Sequence, residues 1–232
     1  MSKHKDFWNK EYKTEGHFAL SMNPSEDLMK FTRWLDRNRE KGTPRLGNKT
    51  VVLDLGSGNG RNLIWLAEEF GCKGIGYDIS DEGVKQAKKA GEELPIEFTV
   101  RSIEGKLDIP DESVDIVLDM MTSHFLKEKE RTELFNEIVR VLKPGGYLFF
   151  KSFFAEGDIH VRRLLRDNPA DEKHSYIHPK LGVYEHVWTE AELDEFFGAS
   201  FEEKKIEKSH KHIVRDRAFK RRTVSLYLQK NF

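Results

Sequence analysis

Cys72 is the sole cysteine among 232 residues, so no internal disulfide framework and no multi-cysteine zinc site can form. Net charge is nearly absent as well. The 39 Lys and Arg balance 40 Asp and Glu to −1, which excludes a globally basic nucleic-acid binder though not a local basic patch. No apolar run approaches the roughly 20 residues of a membrane span. The opening Met1-Ser2-Lys3-His4-Lys5-Asp6 has no apolar core of a secretory signal. These absences point to a cytoplasmic, membrane-independent protein.

What is present is globular. Hydrophobic residues make up 38% and charged residues 34%, with no internal repeat and no low-complexity tract. The length suits one domain with a sizeable core, or one domain plus a lid. Residues 1–47 read as a helical cover segment and residues 48–232 as the main domain. Asp6 to Phe18 is polar but carries Phe7, Trp8, Tyr12 and Phe18. A helix is then expected from Asn23 as cap and Pro24 as first turn, with Leu28, Phe31, Trp34 and Leu35 as its apolar stripe and Lys41-Gly42-Thr43-Pro44 as its end.

From Thr50 strands and helices alternate. Strands are expected at 51–55, 74–78, 96–100, 114–118 and 146–154, separated by helical patterns, one of them capped by Ser80. Such alternation predicts βαβ units in a doubly wound α/β sheet, with ligands at the carboxyl ends of the strands. Ala155 to Trp188 reads as an irregular, lid-like insertion holding His160, His174, His178 and His186. Thr189-Glu190-Ala191-Glu192 is a capping box, and two final strands are expected near 201–206 and 223–228.

The most informative residues are Asp54-Leu55-Gly56-Ser57-Gly58-Asn59-Gly60-Arg61-Asn62. Three alternate glycines directly after a buried strand let the backbone turn sharply and approach a ligand. The helix that follows is expected to direct free N–H groups at the same place. Asp78 ends the next strand, where an acid can accept hydrogen bonds from both ribose hydroxyls. The G-x-G-x-G spacing differs from the dinucleotide G-x-G-x-x-G, and no G-K-[ST] follows.

The segment Val52-Leu53-Asp54-Leu55-Gly56-Ser57-Gly58-Asn59-Gly60 resembles motif I of the class I S-adenosylmethionine-dependent methyltransferases. Tyr77-Asp78-Ile79-Ser80 is similar to their second motif, and Leu142-Lys143-Pro144-Gly145-Gly146-Tyr147-Leu148 to the turn before their fifth strand. A weaker likeness joins the Gly-Asn-Gly-Arg-Asn string and the Thr-Glu-Ala-Glu-Leu helix to small-molecule enzymes of the tellurite-resistance and thiopurine type.

The resemblance implies a Rossmann-like seven-stranded sheet of order 3-2-1-4-5-7-6 with an antiparallel C-terminal strand. It also implies S-adenosyl-L-methionine as cofactor but says little about the substrate, and an unidentified small-molecule acceptor is expected from the weaker likeness. By that resemblance Gly56, Gly58 and Gly60 line the methionine part, Asp54 holds its amino group and Asp78 the ribose. Ile79 packs on adenine, Ser102 and Ile103 lie along the adenine edge, and Asp119 sits near the sulfonium.

Methyl transfer needs alignment more than acid or base, so no catalytic residue is assigned. Tyr12, His124 and His186 are candidate acceptor-binding residues, each with the plainer reading of a packed or capping side chain. His174, His178, Glu185 and His186 are spaced loosely enough that no metal is expected. Cys72 precedes the second strand, which argues against a cysteine-nucleophile chemistry. Between Glu202 and Arg222, nine basic residues face four acidic ones, so RNA stays open as a partner beside a solvated strand edge. The sequence also leaves open a non-catalytic S-adenosylmethionine-binding module and, against the glycine spacing, a nicotinamide dehydrogenase.

Overall fold

A computed structural model describes residues 3–13, 21–38, 46–209, 213–214, 217–218 and 220–232. Phe18 and the expected helix stop at 41–44 lie outside them, as do the side chains of 210–219. The chain divides into two compact units, Met1–Ile103 with Ile109–Leu118, and Glu104–Asp108 with Asp119–Phe232.

The first unit begins with α1 (Lys3–Lys13) and α2 (Glu26–Asn38). The helix α1 lies in the stretch that reads only as polar with scattered aromatics. The start of α2 falls two residues after Pro24, because the Ser25 carbonyl accepts the first helical N–H, from Met29, and the Ser25 N–H is tied to Asn62 Oδ1. Then come β1 (Val51–Leu55), α3 (Arg61–Phe70), β2 (Lys73–Asp78), α4 (Asp81–Ala90), β3 (Ile96–Val100) and β4 (Val114–Met120), whose last two residues belong to the second unit. β1 pairs parallel with β2, and β2 with β3. Ser80 caps α4 by accepting from Gly83 N–H, as its position in the sequence predicts. Val52, Leu53, Leu55, Leu63, Leu66 and Val84 form much of the core of this unit.

The second unit holds a 3-10 turn (Ser123–Phe125), α5 (Glu128–Val141), β5 (Leu142–Phe153), α6 (Ile159–Asp167), β6 (Ser175–Ile177) and β7 (Tyr184–His186). They are followed by α7 (Glu190–Phe197), β8 (Phe201–Lys208), β9 (Ile213–Val214), β10 (Arg217–Ala218) and β11 (Thr223–Lys230). β11 runs antiparallel to both β5 and β8. The seven-stranded sheet has the order β3-β2-β1-β4-β5-β11-β8, the 3-2-1-4-5-7-6 arrangement expected. Strand β5 begins at Leu142 rather than Gly146, with Gly145 at φ 73° in the left-handed region that glycine adopts readily.

The stretch 155–188 is not irregular. Asp158 caps α6 through Val161 N–H, and β6 pairs with β7 in a hairpin. Val161, Leu164, Tyr176 and Val187 give this segment its own small core. The capping box at α7 is fully formed: Thr189 Oγ1 accepts from Glu192 N–H while Glu192 Oε2 accepts from Thr189 N–H. Thr189→Ala is expected to cost about 1 kcal/mol, read as a melting temperature lower by about 3 °C. No described helix is long and apolar enough to cross a membrane.

Candidate functional site

In the first unit the glycine loop is built to a shape. Gly56, Gly58 and Gly60 all have positive φ (75°, 56° and 78°), the region closed to most side chains. The N–H groups of the loop itself are largely engaged within the unit. Gly56 and Ser57 both donate to the Tyr77 carbonyl (2.7 and 2.9 Å), Gly60 donates to the Ser57 carbonyl (2.9 Å), and Gly58 donates to Asp78 Oδ2 (2.8 Å). Four N–H groups of the loop are thus spent inside the protein, and the glycine backbone is left to pass close to a ligand rather than to cradle phosphates.

Asp78 does more than its place in the sequence suggests. Its Oδ1 accepts from Ser80 N–H at 2.7 Å while Oδ2 holds the loop, so one carboxylate joins the glycine turn to the cap of α4. The Ile79 N–H also bonds this carboxylate, which leaves it with acceptor capacity at the carboxyl end of β2, where a ribose hydroxyl would approach. Burial pushes the Asp78 carboxyl above its ordinary value, against the lowering by the Ser80 and Gly58 hydrogen bonds.

Asp54 is buried at the end of β1, and Ser57 Oγ is a buried hydroxyl without a hydrogen-bond partner beside Gly76. Ile79 and Ser102 are half-buried and Ile103 is buried. Arg101 stacks on Tyr77 at 4.7 Å and donates to the Ser102 carbonyl at 3.2 Å, which fixes the turn after β3.

Tyr12 belongs to this group. Its ring lies against Gly83, where an added Cβ would stand 3.0 Å from Cε2, and burial together with the Asp78 and Asp54 charges raises its hydroxyl pKa. α1 is held there by Asn9, whose Oδ1 accepts from Ser80 Oγ (2.8 Å), and by Lys5 on Asp81 (2.9 Å).

The second unit carries Asp119, His124 and His186. Asp119 Oδ1 accepts from Ser123 N–H at 3.0 Å and so sets the 3-10 turn that presents His124; burial pushes the Asp119 carboxyl up to about 6. His124 is 1% exposed, edge-on to Phe153 at 5.1 Å, and neither ring nitrogen has a partner. His186 stands at the end of β7, 4.7 Å from the Trp188 ring, with Nδ1 unpartnered; Trp188 Nε1 and Ser152 Oγ are buried and unpartnered too. His124 and His186 lie within electrostatic reach of each other. Around them Arg221 binds Glu185 and the Tyr176 hydroxyl, and Arg131 binds the Leu126 carbonyl and pairs with Glu172.

Burial is the main cause that lowers both imidazoles, His124 well below its ordinary value and His186 to about 3. Arg221, His186 and Arg131 deepen the shift at His124; at His186, Arg131 and His174 lower it further and Glu192 opposes them.

The unfolded chain therefore binds protons that these folded rings refuse. The stability they confer is whole above about pH 6.5 and drains as pH falls, by about 2 kcal/mol at pH 5 for His186 and in the same direction for His124. Asp119 works in the opposite sense and returns about 1 kcal/mol between pH 7 and 5. Urea unfolding is expected to show stability falling as pH drops from about 7 to about 5, and falling less steeply in His124→Gln than in wild type. A His124→Gln protein with the wild-type pH dependence would contradict the assignment.

Among the described residues no group of three His, Cys, Asp or Glu is placed to hold a metal ion. In the basic C-terminal stretch, Lys204, Lys205, Lys208 and Arg221 are each paired with a glutamate of the same unit.

Residues 53–150, which hold the glycine loop, match the family model described as a methyltransferase domain. A fatty-acid O-methyltransferase of Mycolicibacterium smegmatis is 27% identical over 166 residues, 70% of this chain and 58% of that protein. An arsenite methyltransferase of Halobacterium salinarum is 37% identical over 101 residues, 41% of this chain and 25% of that protein. The matches thus span about a quarter to three-fifths of these relatives' length. A SAM-dependent methyltransferase of Methanosarcina mazei superposes with a TM-score of 0.69 at 25% identity, covering 81% of this chain and 95% of that one. A putative S-adenosylmethionine-dependent methyltransferase of Listeria monocytogenes has the same fold, with a TM-score of 0.64 at 18% identity over 88% and 100% of the two chains.

Proposed function

Because the chain belongs to the class I S-adenosylmethionine-dependent methyltransferases, we propose that it transfers a methyl group to a small-molecule acceptor in the cytoplasm. The observation that carries this reading is the glycine loop, whose Gly56, Ser57, Gly58 and Gly60 N–H groups are consumed by Tyr77, Asp78 and Ser57 with the buried Asp78 carboxylate beside it. That is a fit to a phosphate-free nucleoside.

Asp78 takes the ribose, with Ile79, Ser102 and Ile103 along the adenine. Gly56, Gly58 and Gly60 pass close to the methionine chain, whose amino group Asp54 accepts. Tyr12, read from the sequence as an acceptor contact, joins this cofactor group and shields it from water. Asp119 acts as a positioning residue, holding the turn that carries His124. The bound cofactor supplies an electrophilic methyl on a sulfonium. The chain's own residues orient that methyl and exclude water, a contribution worth roughly 7–11 kcal/mol of barrier in well-aligned reactions. The glutamate pairing of Lys204, Lys205, Lys208 and Arg221 favours the small-molecule acceptor over RNA.

The test is methyl transfer from tritiated S-adenosylmethionine by purified protein, with pooled small metabolites, tRNA and protein extract as separate acceptors. Label is expected in the small-molecule pool. Label confined to tRNA would overturn the acceptor class.

A further inference from the structure

The second unit contains an accumulation of polar atoms that its own fold does not satisfy. Both nitrogens of His124, Nδ1 of His186, Nε1 of Trp188 and Oγ of Ser152 are buried without hydrogen-bond partners, in residues no more than 4% exposed. They come from three segments: the 3-10 turn, β5, and β7 with the residues just beyond it. A buried donor or acceptor left unmade costs about 1–3 kcal/mol. Natural folds carry few such groups, and a cluster of them calls for a ligand, an ion or a catalytic role.

The chemistry of this cluster is one-sided. Trp188 and Ser152 offer N–H and O–H, each neutral imidazole offers one N–H, and no carboxylate is among the unpartnered atoms of this cluster. The cations nearest His124 are Arg221 and Arg131, and both oppose its protonation; His186 is itself a neutral ring at neutral pH. Such rings are weak bases and good neutral donors. Donors in a positive, dry setting stabilise an anion of several lone pairs.

We propose that the acceptor is a carboxylic acid whose carboxylate is bound by His124, His186, Trp188 and Ser152. This deepens the methyltransferase reading and rests on it. A cationic amine would find no unpartnered carboxylate in this cluster, since Glu185 and Glu172 are engaged by Arg221 and Arg131, and an uncharged alcohol would leave most of the donors unmatched.

The experiment follows the four tryptophan indole N–H signals of the full chain by nitrogen-proton correlation NMR. It is run with saturating S-adenosylhomocysteine at pH 7.5, and Trp188→Phe identifies the Trp188 signal. Acetate, hexanoate and benzoate are titrated against acetamide, hexanamide and benzamide. The expected result is a saturable downfield shift of the Trp188 signal with at least one acid and none with its amide. His124→Gln and His186→Gln should each weaken that acid's binding about tenfold (about 1.4 kcal/mol), with S-adenosylhomocysteine affinity unchanged. Equal shifts with the amides, or no shift with any acid up to about 50 mM, well beyond the roughly millimolar affinity of a weak specific ligand, would overturn the inference while leaving the cofactor reading in place. Failure of S-adenosylhomocysteine itself to bind would remove that reading and this inference with it.

Discussion

Asp78→Ala is expected to raise the dissociation constant for S-adenosylhomocysteine by about 100-fold or more, since charge-assisted hydrogen bonds are worth roughly 1.5–3 kcal/mol each. Two losses combine. The ribose loses its acceptor, and the glycine loop loses the brace from Gly58 N–H to Oδ2 and the link through Oδ1 to Ser80. Stability should fall less than affinity, because the raised pKa of this carboxyl shows that its buried charge already opposes folding. Asp78→Asn keeps the volume and one acceptor and should lie between the two in affinity. An unchanged dissociation constant in Asp78→Ala would remove the ribose assignment.

Gly60→Ala should be strongly destabilising. The residue has φ 78°, and a Cβ there would stand 2.6 Å from Phe98 Cζ and 2.9 Å from Ala87 Cβ. A left-handed alanine costs about 1–2 kcal/mol and the overpacking another 1–3 kcal/mol. The sum is a large part of a stability of about 5–15 kcal/mol, and the melting temperature should fall by roughly 10 °C. Phe98→Leu in the Gly60→Ala background should recover the steric part and leave the backbone part, a coupling that a double-mutant cycle measures. A melting temperature within about 2 °C of wild type would show that the loop relaxes more freely than its packing implies.

Elements whose causes are local are legible in the sequence. β1 and β3 are short β-branched or aromatic runs closed by glycines or turns, and their limits agree with those read from the chain. Ser80 and Thr189 announce their helices through cap chemistry that acts over three residues. α6 lies in the stretch that reads as irregular, although Asp158 precedes Val161, Leu164 and Leu165 at helical spacing and is a cap signal in plain view. α1 has no such local signal. Its stability comes from docking on α4 through Asn9 and Lys5, more than seventy residues away.

The site divides along the same line. Gly56, Gly58, Gly60 and Asp78 stand out as a spacing, but the bond from Gly58 to Asp78, which turns a ribose acid into a loop brace, is tertiary. The capture of the Gly56 and Ser57 N–H groups by the Tyr77 carbonyl, on the neighbouring strand, is tertiary as well. The neighbourhood of His124 and His186 has no trace in sequence periodicity, since β7 arrives by way of a helix and a hairpin.

The glycine loop and Asp78 are assigned to a phosphate-free adenosine cofactor, and every other role in the site depends on that assignment. Titration calorimetry of the purified chain with S-adenosylhomocysteine and with NAD tests it most directly. Saturable binding of S-adenosylhomocysteine at one site per chain is required, with no heat from NAD. NAD binding without S-adenosylhomocysteine binding would contradict it.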